Sequence, residues 1–295
     1  MINLTEIKTY PIADRKNLVS LKDFLSLDAP YKRCNAKELE EVAAAVVKAR
    51  KGAKKVIVMF GAHLIKTGMS LFIIDLMKRG FISHLATNGA GSIHDFEIAL
   101  IGATSEDVAS SLPDGSFGMA RETAEKINLA IQKSASGYGS AVGKLIFDSD
   151  MPNKQYSIFY AAYSLKIPIT VHVAIGTDVI HMHPSCDGAS LGKASHHDFK
   201  VFAEAVSQLE EGVILNIGSA VILPEVFLKS LSLSRNLGHK VNNFVAANLD
   251  MIRHYRPTVN VVERPLGKRG KGFNITGFHQ NTIPTLYHYI IQRRD

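Results

Sequence analysis

The chain of 295 residues contains two cysteines, no tryptophan and no long apolar run. Cys34 and Cys186 cannot build a disulfide framework, which sets aside the stapled class of small secreted folds. No segment approaches the roughly 18 consecutive apolar residues of a membrane helix. The opening stretch "MINLTEIKTYPIADRKN" lacks the apolar core of a secretory signal, so a cytoplasmic protein with no membrane partner is expected. Charge of one sign is scarce too. The chain sets 34 Lys and Arg against 27 Asp and Glu, for a net +7, and the cations are spread out except at "RPLGKRGKGF" (264–273). Without a concentrated basic stripe no nucleic-acid partner is expected, and cofactor phosphates suit the surplus better.

What is present is core. A hydrophobic content of 46% suffices for a substantial buried interior. Six segments, 55–60, 83–88, 167–175, 212–220, 242–248 and 258–263, read as strands, several apolar at consecutive positions as in a sheet covered on both faces. Helical patterns lie at 36–51, 68–80, 94–102, 117–136, 154–166, 196–211, 223–237 and 283–293. The alternation predicts an α/β fold, a doubly wound, mostly parallel sheet with helices on both faces. The Gly/Ser cluster at 134–143 reads as a helix–helix turn, and one domain over 1–295 is expected.

In such sheets ligands sit beyond the carboxyl ends of strands, where loops open into helices whose amides attract phosphate. Four small-residue loops take such positions. "GAHLIKTG" (61–68) carries His63, Thr67 and Gly68, and "TNGAGSIHD" (87–95) carries Thr87, Gly89 and Gly91. "HPSCDGASLGK" (183–193) carries Asp187 and Ser190, and "NIGSAVILPEV" (216–226) carries Gly218 and Ser219. "GAGSIH" lacks the third glycine of GxGxxG, so Gly89 and Gly91 have two readings, approach to a pyrophosphate or a tight turn.

The order of these loops resembles the deoxyhypusine synthase family across roughly residues 55–250. "GAHLIKTG" is similar to that family's Ser-Asn-Leu-Ile-Ser-Ser-Gly, and "ATNGAGSIHDFE" to its Thr-Ala-Gly-Gly-Val-Glu-Glu-Asp. "DGASLG" is similar to its Asp-Gly-Ser-Leu-Gly-Asp, and "NIGSAVILPEVFLKSLSLSRN" to its Gly-Gly-Gly-Val-Val-Lys-His-His and following helix. The resemblance implies a Rossmann-like NAD-binding fold, a homotetramer and a transferase or oxidoreductase acting on spermidine or another amine. In that chemistry the amine is oxidised with NAD, its aminobutyl group rests on a lysine as an imine, and a protein lysine accepts it. NAD is thus the expected cofactor, an amine the expected small-molecule substrate and a lysine-bearing protein a possible acceptor. The residues ascribed to NAD are the ten named above. Asp95, Glu225 and Lys268 are the catalytic candidates.

The sequence departs from that pattern in several places. The Glu-Glu-Asp triplet becomes Ile93-His94-Asp95, the His-His pair becomes Pro224-Glu225, and the last acid of the Asp-Gly-Ser-Leu-Gly-Asp motif becomes Lys193. The lysine motif, which contains a tryptophan in the family, is matched only by Lys268 in a basic loop. Two other classes therefore stay open. One is a noncatalytic NAD-binding protein. The other is a metal-dependent hydrolase, in which an extended Ile180–His183 would point His181 and His183 at one ion with Asp187 or His197.

Overall fold

The computed structural model of the chain describes residues 2–293. Its strands, in chain order, are β1 (Asn17–Ser20), β2 (Val56–Phe60), β3 (His84–Asn88), β4 (Ala103–Glu106), β5 (Ile169–His172), β6 (Val213–Ile217), β7 (Val245–Asp250) and β8 (Lys271–Thr276). The longer helices are α1 (Glu38–Lys51), α2 (Ser70–Lys78), α3 (Gly89–Ile101), α4 (Arg121–Lys133), α5 (Tyr138–Phe147), α6 (Gly188–Ser207), α7 (Ile222–Asn236) and α8 (His279–Gln292).

Six strands pair in the order β5-β3-β2-β6-β7-β8, every neighbour parallel. Numbered within this sheet alone, the order is 3-2-1-4-5-6, that of a doubly wound dinucleotide-binding fold. The expected fold class is therefore met. Connections leave β2 in one direction and return at β6 to continue in the other. The switch point lies between their carboxyl ends, where Phe60 registers with Ile217.

Burial explains why these strands form here. All five residues of β2 are buried, and they alternate between two cores. Val56, Val58 and Phe60 join one core, which also holds side chains of α1, α2 and α8. Ile57 and Met59 join the other, with Phe202 of α6 and Phe227 of α7. A strand with helices on both faces needs this continuous apolar run. In α1 the buried Leu39, Val42, Ala43, Val46 and Val47 trace one helical stripe. Three glutamates in its first turn and three cations in its last complement the helix dipole.

The structure corrects several element boundaries. "TVNVVE", expected as a strand from its β-branched residues, is the π-helical turn Thr258–Glu263, with the adjacent Val261 and Val262 both buried. The sixth strand is "KGFNIT", whose one buried residue, Ile275, marks an edge strand without a visible alternation. The cluster at 134–143 holds the expected helix–helix turn, between α4 and α5, in its first four residues and the start of α5 in the rest, and α6 starts at Gly188 rather than near 196. Apart from the sheet, β1 and β4 form an antiparallel ribbon. Among the described residues no helix is long and apolar enough to cross a membrane.

Candidate functional site

The carboxyl ends of β2 and β6 approach each other so closely that a methyl group on Gly61 would lie 2.3 Å from the Gly218 carbonyl oxygen. Gly218 takes φ +65°, a conformation suited to glycine. Its free face is covered by His279, the first residue of α8, whose Nε2 would lie 2.6 Å from an added Cβ. The His63 ring stands 5.6 Å from that of His279, and Asp250, ending β7, is buried beside them. Burial and the neighbouring His63 push His279 down to about 4, against the pull of Asp250. His63 is lowered by burial and by Lys66, again opposed by Asp250. Both rings are therefore neutral at pH 7. The His279 ring nitrogens are both buried without a hydrogen-bond partner, an unusual state for polar atoms in a folded chain.

Beside this cluster opens a cavity of about 470 Å³ between the start of α3, the β1–β4 ribbon and the loop around Asp178. Lys66, one turn on from His63, lines it. So does His94, whose protonation is fixed by a relay. Thr104 donates its hydroxyl to Glu97 at 2.5 Å, so its oxygen accepts from His94 Nδ1 at 2.6 Å. The proton on Nδ1 leaves Nε2 as an acceptor. Burial holds this imidazole near 4, so it is neutral at pH 7. Glu97 itself takes a bidentate pair from Arg15, both bonds 2.7 Å, and a further bond from Thr123. Burial raises this carboxyl, but the Arg15 bonds and charge outweigh burial and hold it low. Ser105, also on the cavity wall, has φ +66°. A non-glycine residue in that region carries local strain and persists where its neighbours fix it. Here those neighbours are Thr104, tied to the relay, and Glu106, which accepts from Tyr10 and the Gly118 amide.

The loop quoted for phosphate binding has a different local account. A methyl group on Gly89 would meet the Asp178 carboxylate at 2.0 Å, and one on Gly91 would meet Thr87 Oγ1 at 2.1 Å. Both glycines make room for the chain's own side chains. The α3 N-terminus is capped by Asn88, with its Ala90 amide on Asp178. Burial pushes Asp178 up to about 6, and its Oδ2 has no hydrogen-bond partner.

Among the sequence candidates, His63, Gly218 and Ser219 converge at the switch point. The rest sit elsewhere or are engaged. Thr67 bonds back to the His63 carbonyl, and Gly68 packs on the backbone of Asp23. Thr87 donates to the Phe60 carbonyl. Asp187 is exposed and caps α6, bonding the Ser190 amide and hydroxyl. Asp95 is corrected from pocket acid to helix cap: fully buried, it accepts from Ser157 and from the Ile158 and Phe159 amides at the start of the helix Ile158–Ser164. Glu225 is half-buried and engaged by Lys229, Arg256 and Asn260. Lys268 is exposed and precedes the amino end of β8. That is the far edge of the sheet, roughly 20 Å from the carboxyl ends at about 3.3 Å per residue. Lys268→Ala should therefore leave both the fold and ligand binding by an isolated chain unchanged, within about 0.5 kcal/mol by urea titration. A larger loss would overturn this placement.

The expectation that an extended Ile180–His183 points His181 and His183 at one ion is corrected as well. Val179–Met182 is a 3-10 turn, His181 Nδ1 accepts from the Gly176 and Asp178 amides, and His183 Nε2 bonds the Gly118 carbonyl. Among the described residues no three metal-ligating side chains converge. Sequence reasoning missed Arg15, Lys66, Glu97, Glu106 and Asp178. Lys66 and Glu97 lay inside the quoted loops, but nothing in a single sequence linked them to the other three.

The sequence matches no protein-family model and no curated protein. In structure, a provisionally named LOR/SDH protein of Methanococcus maripaludis S2 is similar, with TM-score 0.54, 14% identity, and 90% of this chain and 71% of that chain covered. AgrE, crystallised with ornithine and NAD+, gives TM-score 0.51 and 16% identity over 88% of this chain. This chain spans only 32% of the AgrE chain. A provisionally named deoxyhypusine synthase of Entamoeba histolytica gives TM-score 0.49 and 8% identity, covering 88% and 91%, a superposition too loose to bear on family. The likenesses to the LOR/SDH protein and to AgrE show a shared Rossmann-like fold.

Proposed function

We propose that the chain is an NAD-dependent enzyme acting on an amine-bearing small molecule, with NAD over the switch point and the amine in the adjoining cavity. The observation that carries the reading is His279. It is a neutral imidazole with two orphaned ring nitrogens, placed over Gly218 where a doubly wound sheet binds its ligand. A cofactor offering amide and hydroxyl groups would satisfy those nitrogens, so the residues present fit NAD. His63, Gly218, Ser219 and His279 would hold it, and the start of α7, where Ser219 Oγ accepts from the Leu223 amide at 3.3 Å, would offer its remaining first-turn amides to phosphate. When bound, NAD supplies a hydride acceptor. The AgrE structure, with NAD+ and ornithine on a related fold, supports the pairing of cofactor and amine.

The chain's own residues do the rest. Asp178 and Glu106 attract a cationic amine into the cavity. Oxidation at an amine carbon requires the ammonium to lose a proton, and the unprotonated Nε2 of His94, which lines that cavity, is the acceptor at hand. Lys268 lies too far away for a lysine-imine transfer step. Within this reading either Lys66, which lines the cavity, or a lysine from a partner subunit of the implied homotetramer would have to serve, and a protein lysine acceptor depends on the same assembly.

Calorimetric titration with NAD, alone and then with a panel of amines, tests the proposal. Micromolar NAD binding that an amine strengthens is expected, with His279→Phe weakening NAD by at least about tenfold, or about 1.4 kcal/mol. A folded protein that binds no NAD would overturn it. NAD binding with no amine effect and no turnover would favour the noncatalytic reading.

A further inference from the structure

Charge pairing on the cavity wall narrows the amine. Arg15 is neutralised by Glu97, and Asp107 by Lys16 at 2.7 Å. What remains is one cation, Lys66, which makes no ion pair among the described residues, and two acids, Glu106 and Asp178. Glu106 accepts only neutral donors, the Tyr10 hydroxyl at 2.7 Å and the Gly118 amide at 2.9 Å. Asp178 has a side chain only 6% exposed and an unpartnered Oδ2. His181 Nε2 stands 3.7 Å away, too far for a hydrogen bond, and is itself unpartnered. Asp178 lines the cavity while its Oδ2 is buried against Gly89 without a donor, so the carboxylate keeps an unmet demand for a cation or a hydrogen-bond donor.

We propose that this cavity binds a diamino monocarboxylic acid as its zwitterion, the carboxylate on Lys66 and the two ammonium groups on Asp178 and Glu106. The inference rests on the amine reading above and specifies its substrate class. One wall cation and two wall anions complement a ligand with one carboxylate and two ammoniums. A simple diamine would leave Lys66 unpaired and repelled, and a simple carboxylic acid would leave both acids unpaired. The volume of about 470 Å³ falls in the range of about 300–1,000 Å³ for small-molecule sites. His94 Nε2, fixed as an acceptor by the Thr104–Glu97 relay, adds a third group that takes an ammonium N–H and rejects an anion.

Calorimetry of the full chain with ornithine and with putrescine, the same skeleton without the carboxylate, tests the proposal. Ornithine should bind at least about tenfold more tightly than putrescine, the size of one charge-assisted contact. Lys66→Met should erase that preference by weakening ornithine alone. Lys66 is partly exposed on a short turn, and circular dichroism would confirm that the variant folds. Putrescine binding as well as ornithine, or a preference that survives Lys66→Met, overturns the proposal while leaving the amine reading standing. Binding of neither compound overturns both.

Discussion

Glu97→Ala is expected to destabilise the protein by about 3–5 kcal/mol, the cost of leaving a buried charge without its partner. The Arg15 side chain is 5% exposed and the Glu97 side chain 1% exposed, so solvent cannot replace the lost carboxylate. The Thr104 and Thr123 hydroxyls lose their acceptor in the same substitution. Against a typical total stability of about 5–15 kcal/mol, this is a large share. The effect should reach the cavity as well, because Arg15 ties the segment leading into β1 to α3 and Thr104 orients His94. Urea denaturation gives the magnitude. The double variant Arg15→Met with Glu97→Met separates causes: removing both charges should recover much of the loss if the orphaned guanidinium is responsible. A Glu97→Ala loss below about 1 kcal/mol would mean that Arg15 finds another partner, with Glu106 the nearest candidate, and that the ion pair does not hold the ribbon.

That pair also marks the limit of what the sequence discloses. Strands β2 and β6 were legible because central parallel strands must be apolar on both faces, and "VIVMF" meets that demand in five consecutive letters and "VILNI" in four of five. From them, and from the helical stripes between, the α/β class and the loops at the carboxyl ends followed. β8 was not legible because an edge strand with one buried residue has no such demand. "TVNVVE" misled because its preference for extended backbone yields to packing against α7 and β7. In the site, His63 and Gly218 could be placed because a loop after a strand fixes its own position. Arg15 and Glu97 lie 82 residues apart, and Gly89 owes its missing side chain to Asp178, far along the chain. Chemistry assembled across such separations leaves no local pattern. A glycine in a loop reads the same whether it admits a phosphate or a carboxylate of the same protein.

Acid sensitivity of the fold should begin at the titration of histidine rather than of carboxylates, and His84→Phe should reduce it. His84 on β3 and His172 on β5 are 2% and 3% exposed, and both face Thr170 and Phe202. Burial, with His172 and Lys55 adding for His84, pushes each ring down to about 3 from an ordinary 6.5. As pH falls below 6.5 the unfolded chain protonates these rings while the folded chain keeps them neutral. Stability is therefore lost on acidification through the window from 6.5 to about 3. At pH 5 each such histidine costs about 2 kcal/mol relative to neutral pH. The buried Asp95, Asp178 and Asp198, raised to about 6, 6 and 7, act in the opposite sense, because the folded state takes up their protons first. Whole-protein acid unfolding mixes the two sets, so the difference between wild type and His84→Phe at two pH values is the informative measurement. Phenylalanine keeps a planar ring beside Phe202 without the titration, and any packing cost is common to both conditions. Relative to wild type, the variant should gain about 2 kcal/mol on going from pH 7.5 to pH 5 in urea titrations. A pH-independent difference would show that His84 is protonated in the folded protein, or that the unfolded chain does not take up its proton there.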